Sequence, residues 1–210
     1  MRIFTIIILT LIIFTSCTHS KETHFKDGTI KSRQEYKGKK LNGTSTWYYD
    51  NGNKELEVIY AKDKPNGPST RWFRNGQKEL IETYKDGKRD GTSRRWDIEG
   101  HLLEEINYKA DSLNGPYILY HENGNVKIEG NYNMGLFDGL WTYYDVTGMK
   151  VGDGTYHKGE GIQKAYYPNG NTRLSVPYKN NKRNGYELWI DKEGKVVKKV
   201  LYVNDAPAIN

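Results

Sequence analysis

The side chains of this sequence able to do chemistry are one cysteine, Cys17, five histidines, and 26 aspartates and glutamates. A transition-metal site needs three or four His, Cys or carboxylate ligands brought close together. His19, His24, His101, His121 and His157 never pair at ligand spacing, and there is no second thiol and no H-E-x-x-H stretch. "HENG" at 121 leads into a turn, and "GDG" at 152–154 lacks the spaced oxygen ligands of a calcium loop. No glycine-rich phosphate loop opens a helix, and no G-x-S-x-G elbow is present. A glycosidase needs a pair of carboxylates, and Glu55, Glu79 and Glu104 invite that reading, with Glu57, Glu82 and Glu105 beside them. They recur at nearly one spacing, however, which suits solvated strand positions better than one unique acid–base pair. The expectation is a non-enzymatic protein with no catalytic residue, metal or cofactor.

Two further constellations suit binding. Arg71, Arg74, Arg94 and Arg95 surround Trp72 and Trp96, a composition that can hold phosphate, an acidic head group or nucleic acid. Tyr48, Trp72, Trp96, Tyr120, Tyr144 and Tyr166, closed by Ile190, form an aromatic row at a fixed spacing. Such a row is a candidate platform for an extended ligand: a peptide, a glycan or another sheet.

What positions these residues is a repeat. Glycine stands at 43, 67, 91, 115 and 139, always 24 apart, then at 161 after 22 and at 185 after 24. Nine residues after each stands a second glycine, among them Gly52, Gly76, Gly124 and Gly170. Seventeen after each stands a tyrosine: Tyr60, Tyr84, Tyr108, Tyr132, Tyr156, Tyr178 and Tyr202. Carrying the phase back adds Gly28 and Tyr36, so eight units start near 19, 43, 67, 91, 115, 139, 161 and 185. The 17 tyrosines, 5 tryptophans and 22 glycines favour strands and turns over helices. Asn-Gly between strand-like runs predicts a type I′ hairpin turn in each unit, and phrases such as "KDGKRDG" a second turn between units. The fold expected is an all-β, elongated antiparallel meander of about sixteen short strands. The L-x-x-L-x-L signature of a leucine-rich repeat is missing.

Counting outward from a two-residue Asn-Gly loop sets the register. Gly67 then faces Tyr84 and Gly91 faces Tyr108, each ring covering a bare glycine. Arg94 falls opposite Glu105 and Arg95 opposite Glu104, which would occupy the basic cluster in cross-strand pairs. The aromatic row would share a face with Glu55, Glu79, Lys127 and Arg173, with the tyrosines and Leu56, Leu80 and Ile128 on the other. Deletion of two residues at "HKGEG" (157–161) predicts a local break in the stack.

A unit such as "GPSTRWFRNGQKELIETYKDGKRDG" resembles the MORN-repeat variant of bacterial proteins often described as YwqK-like antitoxins. The resemblance extends over nearly the whole chain after residue 18. It implies a repetitive antiparallel sheet used for protein or lipid contact, with no catalytic residues. The antitoxin description implies a cytoplasmic inhibitor of a toxin protein.

The start of the chain points elsewhere. "MRIFTIIILTLIIFTSC" has one basic residue, an apolar run too short to span a bilayer, and small residues before Cys17. It resembles a lipoprotein leader, residues 1–16, with Cys17 as the lipid-attachment residue; Phe14 departs from the usual leucine. A single repeat domain over 17–210 would then be lipid-anchored in a bacterial envelope. The net charge of +6 is mild and interspersed, which argues against a nucleic-acid partner. The Asn42-Gly43-Thr44 sequon carries no weight in a bacterial setting. A protein partner is expected, with a glycan or lipid head group as alternatives.

Overall fold

The computed structural model describes residues 17–208, and the expected leader lies outside the described residues. Every element among them is a β-strand, and each pairs antiparallel with strands next to it in sequence. The result is one open antiparallel sheet of 20 strand segments in meander order. The number exceeds sixteen because bulges divide three hairpin arms and a further short strand, Ala206–Pro207, pairs after the last hairpin. Lys88–Arg89, for example, is parted from Gly91–Trp96 within one arm.

The repeat glycine and tyrosine lie opposite each other in every complete unit: Gly43 and Tyr60, Gly67 and Tyr84, Gly91 and Tyr108, Gly115 and Tyr132. The turn that sets this register is not the one expected. At Asn75-Gly76 only the glycine has positive φ, 90°. The Phe73 N–H donates to the Gln77 carbonyl at 2.8 Å, and the Gly76 N–H to the Phe73 carbonyl at 2.9 Å. The loop therefore holds three residues, a type I turn closed by a glycine in the left-handed region. Beyond it Trp72 pairs with Lys78 but Arg71 with Leu80, so Glu79 is a one-residue bulge. Asparagine serves through its side chain here. The Asn75 Oδ1 accepts from the Gln77 N–H at 3.0 Å, and its Nδ2 donates to the Ile98 carbonyl of the next turn at 3.1 Å. Asn51 and Asn123 make the same link to Arg74 and Val146.

The type I′ turns lie at the other edge, between units. Asp86 and Gly87 have φ of 51° and 87°, Lys62 and Asp63 of 52° and 69°, Asn180 and Asn181 of 52° and 63°. Adjacent units share these turns through backbone bonds, such as Gly87 N–H to the Pro65 carbonyl at 2.8 Å. After each such turn the ladder skips two residues: Tyr84 pairs with Arg89, but Ile81 with Arg94, leaving Asp90 and Gly91 bulged.

The shortened unit is a correction. From Gly152 opposite Ala165 to His157 opposite Glu160 the ladder runs without interruption. The deletion has removed the two-residue bulge and left the most regular junction of the sheet. An even deletion preserves which face each side chain takes, so nothing breaks.

A single-layer sheet has no interior between layers, and its core is accordingly thin. Val58, Trp141, Tyr156 and Val176 are its buried apolar side chains among the described residues. Around Trp141 the rings of Tyr117, Tyr132, Phe137 and Tyr156 pack at centroid distances of 5.6, 5.0, 4.6 and 6.5 Å. Such pairs contribute about 0.5–1.5 kcal/mol each beyond their buried area. Elsewhere each unit depends on its neighbours, as in other repeat proteins.

Candidate binding faces

The aromatic row Tyr48, Trp72, Trp96, Tyr120, Tyr144 and Tyr166 ends the first arm of successive units, and every member is half-buried. The hydroxyls of three members donate to a carboxylate of the preceding unit: Tyr120 to Glu105 at 2.8 Å, Tyr144 to Glu129 at 2.6 Å, Tyr166 to Asp153 at 2.8 Å. Two of these carboxylates also hold cations, Glu105 with Arg94 at 2.6 Å and Asp153 with Lys150 at 2.6 Å. Trp72 has no hydroxyl, and there Lys54 lies 5.4 Å over the indole while pairing with Glu57 at 2.5 Å. Partial burial opposes the ionisation of Glu105, yet the bonds from Arg94 and Tyr120 outweigh it and hold its carboxyl below the ordinary range. Burial, then Glu105, pushes the Tyr120 phenol up to about 12. Four of the six members are thus held by contacts with the preceding unit, and all six leave ring surface toward solvent.

The basic cluster is largely occupied. Arg94 meets Glu105, Arg95 meets Glu104 at 3.5 Å, and Arg74 pairs with Asp50. Arg71 joins no such ion pair among the described residues. Glu55 and Glu79 are a second correction, because they do not share the face of the row. They line a shallow pocket with Trp47, Tyr49, Leu56 and Arg71, on the tyrosine face. At a bulge two successive side chains turn to the same side, so Glu79 follows Leu80 instead of Trp72.

On the tyrosine face the position two residues after the unit glycine varies in a way the sequence reading passed over. It is Ser45, Ser69 and Ser93 in three successive units, all buried, then Tyr117 and Trp141. Opposite the two aromatics stand glycines outside the repeat pattern, Gly130 across from Tyr117 and Gly154 across from Trp141. A methyl group built on Gly130 would overlap the Trp141 indole. The exchange of serine for a large ring, matched by glycine across the strand, was the available signal. Where serine remains, a cavity of about 190 Å³ opens over Ser69, walled by Leu56, Val58, Tyr60, Pro65 and Tyr84. Glu82 lines it as well, accepting from the Tyr84 hydroxyl at 2.8 Å with Arg89 at 3.9 Å.

The histidines sit apart. His19 stacks on Tyr36 at 5.5 Å, His101 meets Asp97 at 3.0 Å, and His121 contacts the Tyr144 carbonyl at 3.1 Å. Among the described residues no group of three His, Cys, Asp or Glu gathers at metal-binding distance. Cys17 is exposed, directly before the first strand Thr18–His24, and its carbonyl accepts from the Gly38 N–H at 3.5 Å.

No curated protein matches the chain. Four stretches, residues 41–62, 65–86, 113–134 and 159–180, each one hairpin with part of its flanking turns, match the family model described as MORN repeat variant.

Proposed function

We propose that this protein is a non-enzymatic binding module, anchored to a bacterial envelope through a lipidated Cys17, that receives a protein partner along its aromatic row. The observation that carries the reading is the row itself: one aromatic side chain per unit over six units, on one face of a single-layer sheet, each with ring surface exposed. Exposed aromatic rings interspersed with polar groups along one face are the usual composition of a protein contact. MORN repeats generally serve as binding and scaffold modules, and four units match that family. An acyl chain on Cys17 would hold the first hairpin against the bilayer with no spacer, since the strand begins at the next residue.

The test has two parts. Metabolic labelling with a palmitate analogue should mark wild type and leave Cys17→Ala unlabelled; absence of label in both would sink the anchor and favour a cytoplasmic, antitoxin-like role. Co-purification from native membranes should recover a partner with wild type and lose it with Trp72→Ala/Trp96→Ala. Retention of every partner by the double variant would refute the row as the contact, and glycan or lipid-only recovery would change the class of ligand.

A further inference from the structure

On the opposite face, independent of both the row and the anchor, we propose a second binding site that takes a basic side chain and, two residues along, an apolar side chain from an extended segment of a protein partner. Two adjoining hollows define it, and they share Leu56 and Arg71. The first, over Ser69, is walled by aliphatic and tyrosine side chains and suits a branched apolar group. The second offers the Trp47 ring, Tyr49, and the carboxylates of Glu55 and Glu79, neither of which joins an ion pair among the described residues.

The charge balance decides what enters. Two unpaired carboxylates, Glu55 and Glu79, line the second hollow against one guanidinium, Arg71, while Glu82 in the first is already engaged by the Tyr84 hydroxyl and Arg89. An incoming ammonium or guanidinium therefore gains carboxylate partners and an aromatic face, whereas an incoming carboxylate meets like charge. Tyr49 is already oriented, its hydroxyl donating to the Trp72 carbonyl at 2.8 Å and its ring flanked by Arg74 at 6.0 Å. This leaves the Trp47 ring and the two free glutamates as the recognition elements for the cation.

The repeat supplies its own control. At the same position two and three units on, Tyr117 and Trp141 fill this face, and Gly130, paired with Tyr117, leaves room for the Trp141 indole. The sheet closes its trough in that half and leaves serine where the trough is open. Transplanting the filler should close the site without altering the row.

The probes are two fluorophore-capped peptides, Gly-Ser-Lys-Ser-Leu-Ser-Gly (the Lys–Leu peptide) and Gly-Ser-Glu-Ser-Leu-Ser-Gly (the Glu–Leu peptide), whose paired side chains leave an extended backbone on one side; each is titrated by fluorescence anisotropy against the full chain in detergent. The Lys–Leu peptide should bind at least about tenfold more tightly than the Glu–Leu peptide. Glu55→Gln/Glu79→Gln, a solvent-side change that leaves the strands intact, should remove that preference. Ser69→Tyr/Glu82→Gly, which copies the Tyr117–Gly130 pair, should abolish binding of both. Trp72→Ala/Trp96→Ala should bind like wild type, so failure of the row and failure of this site read out separately. Equal affinity for the two peptides, no binding of the Lys–Leu peptide, or undiminished preference in the double glutamine variant would each overturn the proposal.

Discussion

Tyr156 and Tyr178 meet edge-on at 5.8 Å across Gly161, which is paired with both of them. In a full-length unit two different residues do this work: Arg89 faces the tyrosine before it, and Gly91 the tyrosine after it. Loss of the two-residue bulge merges the roles into one glycine and brings two rings of the repeat into contact. Phe137 joins them at 5.2 and 6.3 Å. The shortened unit therefore tightens the aromatic cluster that serves this single-layer sheet as a core.

Replacing that glycine should be costly for packing reasons alone, because its backbone is not in the left-handed region. A Cβ on Gly161 would lie 2.8 Å from the Tyr156 ring and closer still to the Thr155 carbonyl. Gly161→Ala is expected to destabilise by about 1–3 kcal/mol, the usual cost of overpacking, measured by denaturant unfolding. A change within the error of the measurement would show that the two rings can part freely.

Length changes at the same place should depend on parity. Inserting Asp-Gly after Gly161 restores the ordinary bulge and keeps every downstream side chain on its face. The expected cost is about 0.5–1.5 kcal/mol, that of one aromatic pair. Inserting a single residue would turn Ile162–Tyr166 over and place Tyr166 against the wrong face. Thermal unfolding should show a far larger loss for the one-residue insertion than for the two-residue insertion. The reverse order would contradict the register.

Parity also explains what could be read from the sequence. Counting from a supposed two-residue loop places Gly67 opposite Tyr84 and Arg94 opposite Glu105, as observed. The true loop has three residues, which shifts the pairing by one, and the bulge at Glu79 shifts it back. Glycine and tyrosine spacing report the sum of loop and bulge, so they reveal the register and conceal the turn. Near the turn itself the two contributions separate, and there the reading failed, placing Glu55 and Glu79 on the face of the row. The trough was legible in Ser45, Ser69 and Ser93 against Tyr117 and Trp141, but only once Gly130 is read as space for the Trp141 indole.

Asn181 joins the two units that flank the shortened one. Its Oδ1 accepts from the Phe137 N–H at 2.8 Å, and its Nδ2 donates to the Gly135 carbonyl at 2.8 Å. At three other turns an aspartate serves the unit beside it: Asp63 for the Leu41 N–H at 2.8 Å, Asp111 for the Arg89 N–H at 2.9 Å, and Asp205 for the Arg183 N–H at 2.8 Å. The equivalent position here is Gly159, with φ of 78° and no side chain, so Asn181 reaches past it. Asn181→Ala should cost about 1–3 kcal/mol through the groups left unpaired. Asn180→Ala, at a turn position where another unit already carries Ala110 at φ 49°, should cost less. Equal losses would assign the effect to turn conformation instead of the bridge.

The tyrosines should make the fold sensitive to alkali. Burial, then the Glu82 carboxylate, pushes Tyr84 up to about 12, and burial with Glu104 does the same for Tyr132. Tyr117 and Tyr156 are displaced further in the same direction, chiefly by burial. A phenol whose folded pKa exceeds its unfolded value near 10 favours the folded state while it is neutral. That stabilisation is complete below about pH 10 and is lost progressively as the pH rises through about 12. Tyrosinate absorbance should accordingly rise in two stages, exposed phenols first and the buried set together with loss of sheet circular dichroism. Tyr84→Phe removes one member of the late stage and leaves the early stage unchanged. A single transition near 10 with the sheet intact would show that these rings are not held in the buried, carboxylate-flanked positions described above.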